Sequence, residues 1–510
     1  MLVPFTVNDF LGRGALVYGD RVGVVDEPDQ PAASLGELSY GQLAAKARSM
    51  AMAMERLGVR EGDRVAMVSH NSARLLTAFF GICGYGRILV PVNFRLSRDE
   101  VAFIVAHSGA RVLFVDPEVA ESLAGIECEH TFVIGQDEHL FADDGEPTPW
   151  SAPDENATAT INYTSGTTAR PKGVQLTHRN LWANALTLGL HMGVSDRDVY
   201  LHTLPMFHCN GWGMPFVAAG LGVPQVVLRK VDGAEILRRV ERHGVTLMCG
   251  APAVVASVLD AATTWDGPVP GRDRVRIIVA GAPPPTATIL RVQEELGWEF
   301  IQIYGLTETA PLLTVNRTRA EWDDLPALER AGRLVRAGSP AIGVQLSIDP
   351  EGEVLARSNV VLEGYWENPE ESERCLEGGW FHTGDGGTLD DEGYLTISDR
   401  RKDVIITGGE NVSSIEVEDA LYSHPDVAEV AVIGVPDSKW GETIKALVVL
   451  RPGCTVTEQE LIDHCKAKVA RYKAPSSVEF REVLARTATG KLQKFKLRAP
   501  YWEGRGRQVN

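Results

Sequence analysis

The chain has 510 residues, enough for more than one domain and a large buried core. Its 68 acidic and 50 basic residues leave a formal net charge of −18, which argues against general affinity for nucleic acid or anionic membranes. Seven scattered cysteines without a Cys-x-x-Cys pair, no membrane-length apolar run and no signal pattern at the N-terminus point away from disulfide scaffolds, zinc sites and stable membrane insertion, and towards a cytoplasmic setting.

Ser39 is placed to cap a helix with the apolar stripe Leu43, Ala44, Ala47, Met50, Ala51, Met54 and Leu57, which Gly58 ends. A strand at Val65–Val68, a helical run from Ala73 to Cys83 and a strand at Ile88–Val92 follow. Ser97 and Glu100 form a capping-box pattern ahead of a helix to His107, and Val112–Val115 is again strand-like. Strands alternating with helices imply parallel sheets covered on both faces. The rhythm resumes with strands at Val199–Leu204, Val226–Leu228, Val245–Met248, Val275–Val279 and Phe300–Ile303, and a helix at Ala234–Arg242. After about residue 335 the segments shorten, with turns at Asp349–Gly352, Glu377–Gly379 and Asp390–Gly393 between expected hairpin strands. From Lys402 a compact module of about a hundred residues begins, a normal size for a small domain, with a capping-box pattern at Ser413 and Glu416.

Five stretches carry chemistry. Tyr163-Thr-Ser-Gly-Thr-Thr-Ala-Arg-Pro-Lys-Gly173 gathers short hydroxyls, a flexible glycine and a lysine, which suit the many oxygens of a polyphosphate. It lacks the Walker A spacing, and a polar surface loop is the plain alternative. Tyr304-Gly-Leu-Thr-Glu-Thr309 ends a strand, where a ring can stack on a purine and a carboxylate can hold Mg²⁺. Ala280-Gly-Ala-Pro-Pro284 ends another, its small residues allowing close approach to a flat ring, although a tight structural turn reads the same. Trp380–Asp385 and Asp399–Asp403 supply a carboxylate and Arg400 for ribose or phosphate oxygens, with Arg401 read as a solvated linker charge. Arg486-Thr-Ala-Thr-Gly-Lys491 is a basic loop near the end of the chain.

Together and in this order, the stretches resemble the signatures of the adenylate-forming superfamily: acyl-CoA synthetases, luciferases and peptide-synthetase adenylation domains. The resemblance runs from Tyr163 to Lys491 and implies an α/β fold, with doubly wound parallel sheets and a small β-rich subdomain in residues 1–400. A mobile α+β C-terminal domain would occupy residues 401–510. It also implies ATP, Mg²⁺ and coenzyme A. Thr164, Ser165, Gly166, Thr167, Thr168 and Lys172 would cradle the ATP phosphates, and Gly281, Ala282 and Tyr304 would frame adenine. Thr307 would meet the α-phosphate, Thr167 and Glu308 the metal, and Asp385 and Arg400 the ribose. Lys402 would be the hinge and Lys491 the catalytic lysine, with His208 also a catalytic candidate. The Gly408–Asn411 turn, Gly409 above all, would line the pantetheine approach, with Lys473 and Arg471 set against CoA phosphates.

Ala169 stands where many members have glycine, and Ala485 where a proline usually precedes Arg-Thr; neither removes a reacting group. Amino-acid-activating members carry an aspartate where this chain has His208, which disfavours α-amino acids. Asn210, Trp212, Cys249, Gly250, Ala251, Pro252 and Gly305 are expected to border the acid, although Trp212 fits plain core packing equally well. The Phe207–Trp212 run most resembles CoA ligases for medium-chain fatty acids, short thioether acids and some aryl acids. The expected enzyme is thus an AMP-forming acid–thiol ligase that makes the CoA thioester of a medium-chain fatty or related carboxylic acid, acting alone or as a homodimer. The rival readings are a ligase loading carrier-protein phosphopantetheine, an aryl-acid CoA ligase and a nucleotide-binding protein without catalysis.

Overall fold

Each strand of the two large sheets sends alternate side chains to opposite faces, and both faces are apolar. Val65 and Met67 of strand Arg64–Val68 point into the main core, while Ala66 and Val68 enter a second one under helix Arg98–Ser108. The computed structural model describes residues 2–136, 142, 145–164, 171–282, 284–400, 403–407, 410–437, 440–486 and 492–503, without the side chains of Asp399, Arg400 and Asn411. Among them, a nine-stranded and a seven-stranded sheet lie against a shared helical layer that includes Tyr40–Arg56, Ala73–Gly81 and His178–Met192. Helices Gly233–His243 and Pro252–Ala262 cover the outer face of the nine-stranded sheet, giving five layers in all.

The helix starts follow local chemistry. Ser39 and Gln42 form a reciprocal capping box, as do Ser97 and Glu100. Ser413 does not, although its spacing to Glu416 suggests it. Its hydroxyl donates to the Ser398 carbonyl, and Glu416 pairs with Lys473 instead. The Glu377–Gly379 turn also departs from expectation. It joins helix Pro369–Cys375 to strand Phe381–Leu389 rather than two strands. Asp390–Gly393 is a hairpin turn, with Asp390 accepting the N–H groups of Glu392 and Tyr394.

The sheets are mixed rather than wholly parallel. Strand Thr158–Thr164 runs parallel to Ile88–Val92 but antiparallel to Lys172–Thr177. Glu299–Gly305 runs parallel to Arg276–Val279 but antiparallel to Leu312–Asn316. Both reversals occur where the connection is far shorter than the dozen or so residues that a parallel crossover needs. A four-stranded antiparallel sheet spans Val344 to Arg400, and the C-terminal region builds its own sheet and core from Ile405 onward. Among the described residues, no helix is long and apolar enough to cross a membrane.

Three buried histidines set the acid tolerance of this frame. Burial holds His178 and His202 neutral, with values pushed down to about 4, against a weak opposing pull from Asp154 on the first and Gln225 on the second. Burial does the same to His70, helped by Arg229 and opposed by Asp116 and Glu118. The unfolded chain takes up these protons near pH 6.5, so their stabilising contribution is complete above that pH and is lost towards pH 4. The free energy of urea unfolding should fall by about 1.4 kcal/mol per pH unit for each histidine between pH 6.5 and 4.5. A flat profile across that range would place all three of these imidazoles in contact with water.

Candidate active site

Both signature loops sit on the two antiparallel returns. In the first, Thr164 lies opposite Lys172. Ser165, Gly166, Thr167 and Thr168 fall outside the described residues. The Lys172 ammonium is ion-paired with Glu371 and stands 5.2 Å from the centroid of the Tyr365 ring. Arg374 approaches the same carboxylate at 2.6 Å. Burial pushes the Glu371 carboxyl up, but Lys172 and Arg374 outweigh it and hold the group below the usual carboxylate range. A cavity of about 580 Å³ opens here, with Phe103, His107, Lys172, Tyr365 and Arg374 among its walls.

The second return carries Thr307 and Glu308, both half-buried in a short helical turn. Gly305 makes this turn feasible, because a Cβ there would stand 1.5 Å from the Pro311 carbonyl oxygen. Thr309 ties the turn from inside, donating to the Pro311 carbonyl and accepting from the Leu306 N–H. The Tyr365 hydroxyl donates to Glu308 Oε1 at 3.0 Å, and the Leu362 N–H donates to the Glu308 carbonyl at 2.8 Å. Burial, and then the Glu308 charge, raise the Tyr365 phenol well above its ordinary value, so it remains a donor. Tyr365 carries no spacing signal in the sequence; only its place beside the returning strand reveals it.

Tyr304 joins the adenine and ribose candidates directly, its hydroxyl donating to Asp385 Oδ2 at 2.8 Å. Asp385 is also the register partner of Arg400, so the two ribose candidates face each other across one strand pair. Glu353, unmarked in the sequence reading, braces this strand by accepting the Gly384 N–H at 2.8 Å, with His382 3.2 Å from its other oxygen. Gly281 has φ of 100°, and it and Ala282 are exposed at the end of strand Arg276–Val279.

The segment expected to border the acid is conformationally unusual. Cys209, Asn210, Gly211, Trp212 and Gly213 all have positive φ, between 48° and 85°, which is costly for the three that are not glycine. Asparagines hold it in place. Asn162 donates to Asn210, and Asn210 donates to Thr160 at 2.9 Å. Asn184 donates to the Trp212 carbonyl at 3.1 Å. Asn71 donates to the carbonyls of His202, Leu204 and Leu228 and accepts the Met206 N–H. Asn210 is therefore a fully buried brace in this conformation, and Trp212, 4% exposed, belongs to the main core. Cys249 and Gly250 are buried on one strand and Ala251 caps the next helix, whose first residue is Pro252, while His208 is half-buried.

In the C-terminal region, Lys473 is bound to Glu416 at 2.7 Å, while Arg471 is exposed. Lys402, Gly408, Gly409 and Lys491 lie outside the described residues. Asp419 reaches the large domain, accepting the Thr286 N–H at 3.0 Å at the start of helix Thr286–Arg291.

Residues 15–366 match the family described as AMP-binding enzyme, and residues 416–491 match the AMP-binding enzyme C-terminal domain. The chain belongs to the AMP-binding enzyme family. This AMP-binding enzyme is 38% identical to the 2-methylpropanoate–CoA ligase CCL4 of Humulus lupulus, over 97% of its own length and 95% of the relative's. Its structure is similar to that of the anthranilate CoA ligase AuaEII in complex with anthranoyl-AMP, with a TM-score of 0.88, 29% identity and 98% coverage of each chain. The o-succinylbenzoate CoA synthetase of Bacillus subtilis with its acyl-adenylate intermediate gives a TM-score of 0.83 at 30% identity, covering 96% of this chain and 97% of the other. The same synthetase gives 0.81 with ATP and magnesium ion, and 0.68 as a double mutant with a product analogue. The AMP-binding enzyme is accordingly an ATP-binding acid–thiol ligase of the acyl- and aryl-CoA type, which removes the non-catalytic reading.

The Gly305 geometry predicts a severe effect from one methyl group. Gly305→Ala must displace backbone, and should lower unfolding stability by about 3 kcal/mol, at the upper end for overpacking. It should also cut acid-dependent pyrophosphate release at least tenfold. Wild-type melting and turnover would mean that the turn opens without cost.

Proposed function

We propose that the chain activates a medium-chain fatty acid, or a related small carboxylic acid, as acyl-AMP and then transfers the acyl group to coenzyme A. The observation that carries this reading is the contact between separate signature stretches: Tyr365 touches both Glu308 and Lys172, while Tyr304, on the strand that leads into the Glu308 turn, holds Asp385. A carboxylate resists thiol attack because its leaving group would be oxide. Attack of the carboxylate oxygen on the α-phosphorus breaks the bond to the β-phosphate bridging oxygen and releases pyrophosphate. The thiol sulfur then attacks the acyl carbon and expels AMP.

The meeting of two anions is the main obstacle to the first step. Lys172, Thr164 and Thr307 would hold phosphate oxygens, Asp385 and Arg400 the ribose hydroxyls, and Lys491 the charge developing at the α-phosphate. Glu308 suits a magnesium ion: it is half-buried, offers hard oxygen donors, and uses only Oε1 in the Tyr365 bond. Magnesium bound there, with Thr167, would offset phosphate charge.

The acid pocket would lie along the braced 204–213 segment, with Gly250, Ala251 and Trp212 forming its base. His208 is half-exposed in that run, and its imidazole lacks the acidic charge that a substrate ammonium needs.

Two steps at one site call for two surroundings, which a C-terminal domain of residues 401–510 turning about Lys402 would supply. The higher similarity to the nucleotide- and adenylate-bound synthetase than to its product-analogue form supports reading the present arrangement as the adenylation state. Asp419 on Thr286 would then be a contact of that state.

The acid is tested with a panel from C2 to C18 together with 2-methylpropanoate and anthranilate, scored by pyrophosphate release with and without CoA. A C6 to C10 optimum is expected, and an aryl or branched-acid optimum would replace the medium-chain reading. Trp212→Ala should shift that profile towards larger acids while costing about 3–5 kcal/mol of stability; an unshifted profile makes Trp212 core alone. For the mechanism, Lys491→Ala should slow acyl-AMP formation on the order of a hundredfold or more, while leaving thioester formation from supplied acyl-AMP near normal. Lys402→Pro should show the opposite bias, because proline fixes φ at the hinge. Equal slowing of both steps in Lys491→Ala would sink the two-state mechanism.

A further inference from the structure

We infer that Tyr365 is a positioning residue that holds the Glu308 carboxylate in place for a divalent cation and seats the Lys172 side chain beside it. The inference rests on the proposed role of Glu308 as the cation ligand. Tyr365 is 8% exposed, and its backbone is clamped on both sides. Strand Gly364–Tyr365 pairs with strand Lys172–Thr177, with Tyr365 opposite Val174, and the Trp366 N–H donates to the Gly173 carbonyl at 2.7 Å. The Tyr365 N–H donates to Ser372 Oγ at 2.8 Å, at the helix that carries Glu371.

From this fixed base the side chain does two things. Its hydroxyl takes Oε1 of Glu308 at 3.0 Å, which sets the carboxylate plane and leaves Oε2 outside that bond. Its ring lies 5.2 Å from the Lys172 ammonium, within cation–π reach, on a lysine that Glu371 holds through charge. One phenol thus fixes the relative placement of an anionic and a cationic group from two different sheets. Partners that hydrogen-bond a ligating carboxylate typically change metal affinity by about 10- to 100-fold when removed.

Tyr365→Phe deletes the hydroxyl and retains the ring over Lys172. In the full chain, Mn²⁺ binding is followed by electron paramagnetic resonance in the presence of α,β-methylene-ATP, an analogue whose α–β link resists cleavage. The expected result is about tenfold weaker Mn²⁺ binding, with nucleotide affinity in EDTA changed less than twofold. Glu308→Gln is measured in parallel, as is the double variant. If Tyr365 acts through Glu308, the double variant binds Mn²⁺ no more weakly than Glu308→Gln alone. Additive losses would make the tyrosine merely structural and overturn the inference. Weakened Mn²⁺ binding in Glu308→Gln with none in Tyr365→Phe would also overturn it, while leaving the function standing. Unchanged Mn²⁺ binding in both variants would remove Glu308 from the metal site and take the inference with it.

Discussion

Chain reversal at the ends of parallel sheets is the constraint on which the site depends. Seven residues separate Thr164 from Lys172, and six separate Gly305 from Leu312, too few for a helix to carry the chain back to a parallel start. Each strand must therefore double back beside itself. In the second return this leaves the short turn Thr307–Thr309 just beyond the strand end, where ligands collect in α/β sheets. Lys172 and Glu308 then belong to the returns of different sheets, and strand Gly364–Tyr365, with Leu362 just before it, holds the two returns together. Without that strand, Lys172 and Glu308 would be features of two neighbouring surfaces rather than of one site.

A second layer of support holds the backbone that has no regular structure to rely on. The left-handed run from Cys209 to Gly213 is held by side-chain amides from two directions, Asn162 on strand Thr158–Thr164 and Asn184 on helix His178–Met192, while Asn71 fixes the approach to it through the Met206 N–H. Amides suit this work, since each offers donors and an acceptor without bringing charge into the core. Strain of this kind persists only where surrounding bonds over-determine it. The same buried asparagines that look incidental in the sequence fix the shape of the wall on which the acid would rest.

Most of the frame was legible in the sequence because it follows local rules. The strand at Ile88–Val92, the helix cap at Ser39 and the capping box at Ser97 appear where pattern and capping chemistry place them. The parallel pairing of the main strands was legible from the alternation of strands with helices, but the two antiparallel returns were not, because a two-residue period is the same in parallel and antiparallel pairs. Ser413 departed from its box because a carbonyl from a distant strand captured its hydroxyl first. The site candidates stood out where residue types cluster, as at Tyr304–Glu308. Tyr365, Glu353 and Asn71 did not, since a single tyrosine, glutamate or asparagine gains its meaning only from what folding sets beside it.

The pairing of Lys172 with Glu371 bears on how a polyanion enters. Were Lys172 to hold phosphate as proposed, a phosphate oxygen would have to take it from a resident carboxylate as well as from water. Glu371 would be left as a bare, half-buried anion, were it not already bonded to Arg374, whose side chain is 72% exposed and otherwise extends into solvent. The carboxylate thus has a second cation in hand before the first departs. Ligand entry would then be an exchange of partners for Lys172 that leaves Glu371 neutralised by Arg374. Glu371 keeps the lysine oriented, and selectivity would fall to those ligands whose charge density exceeds that of one carboxylate.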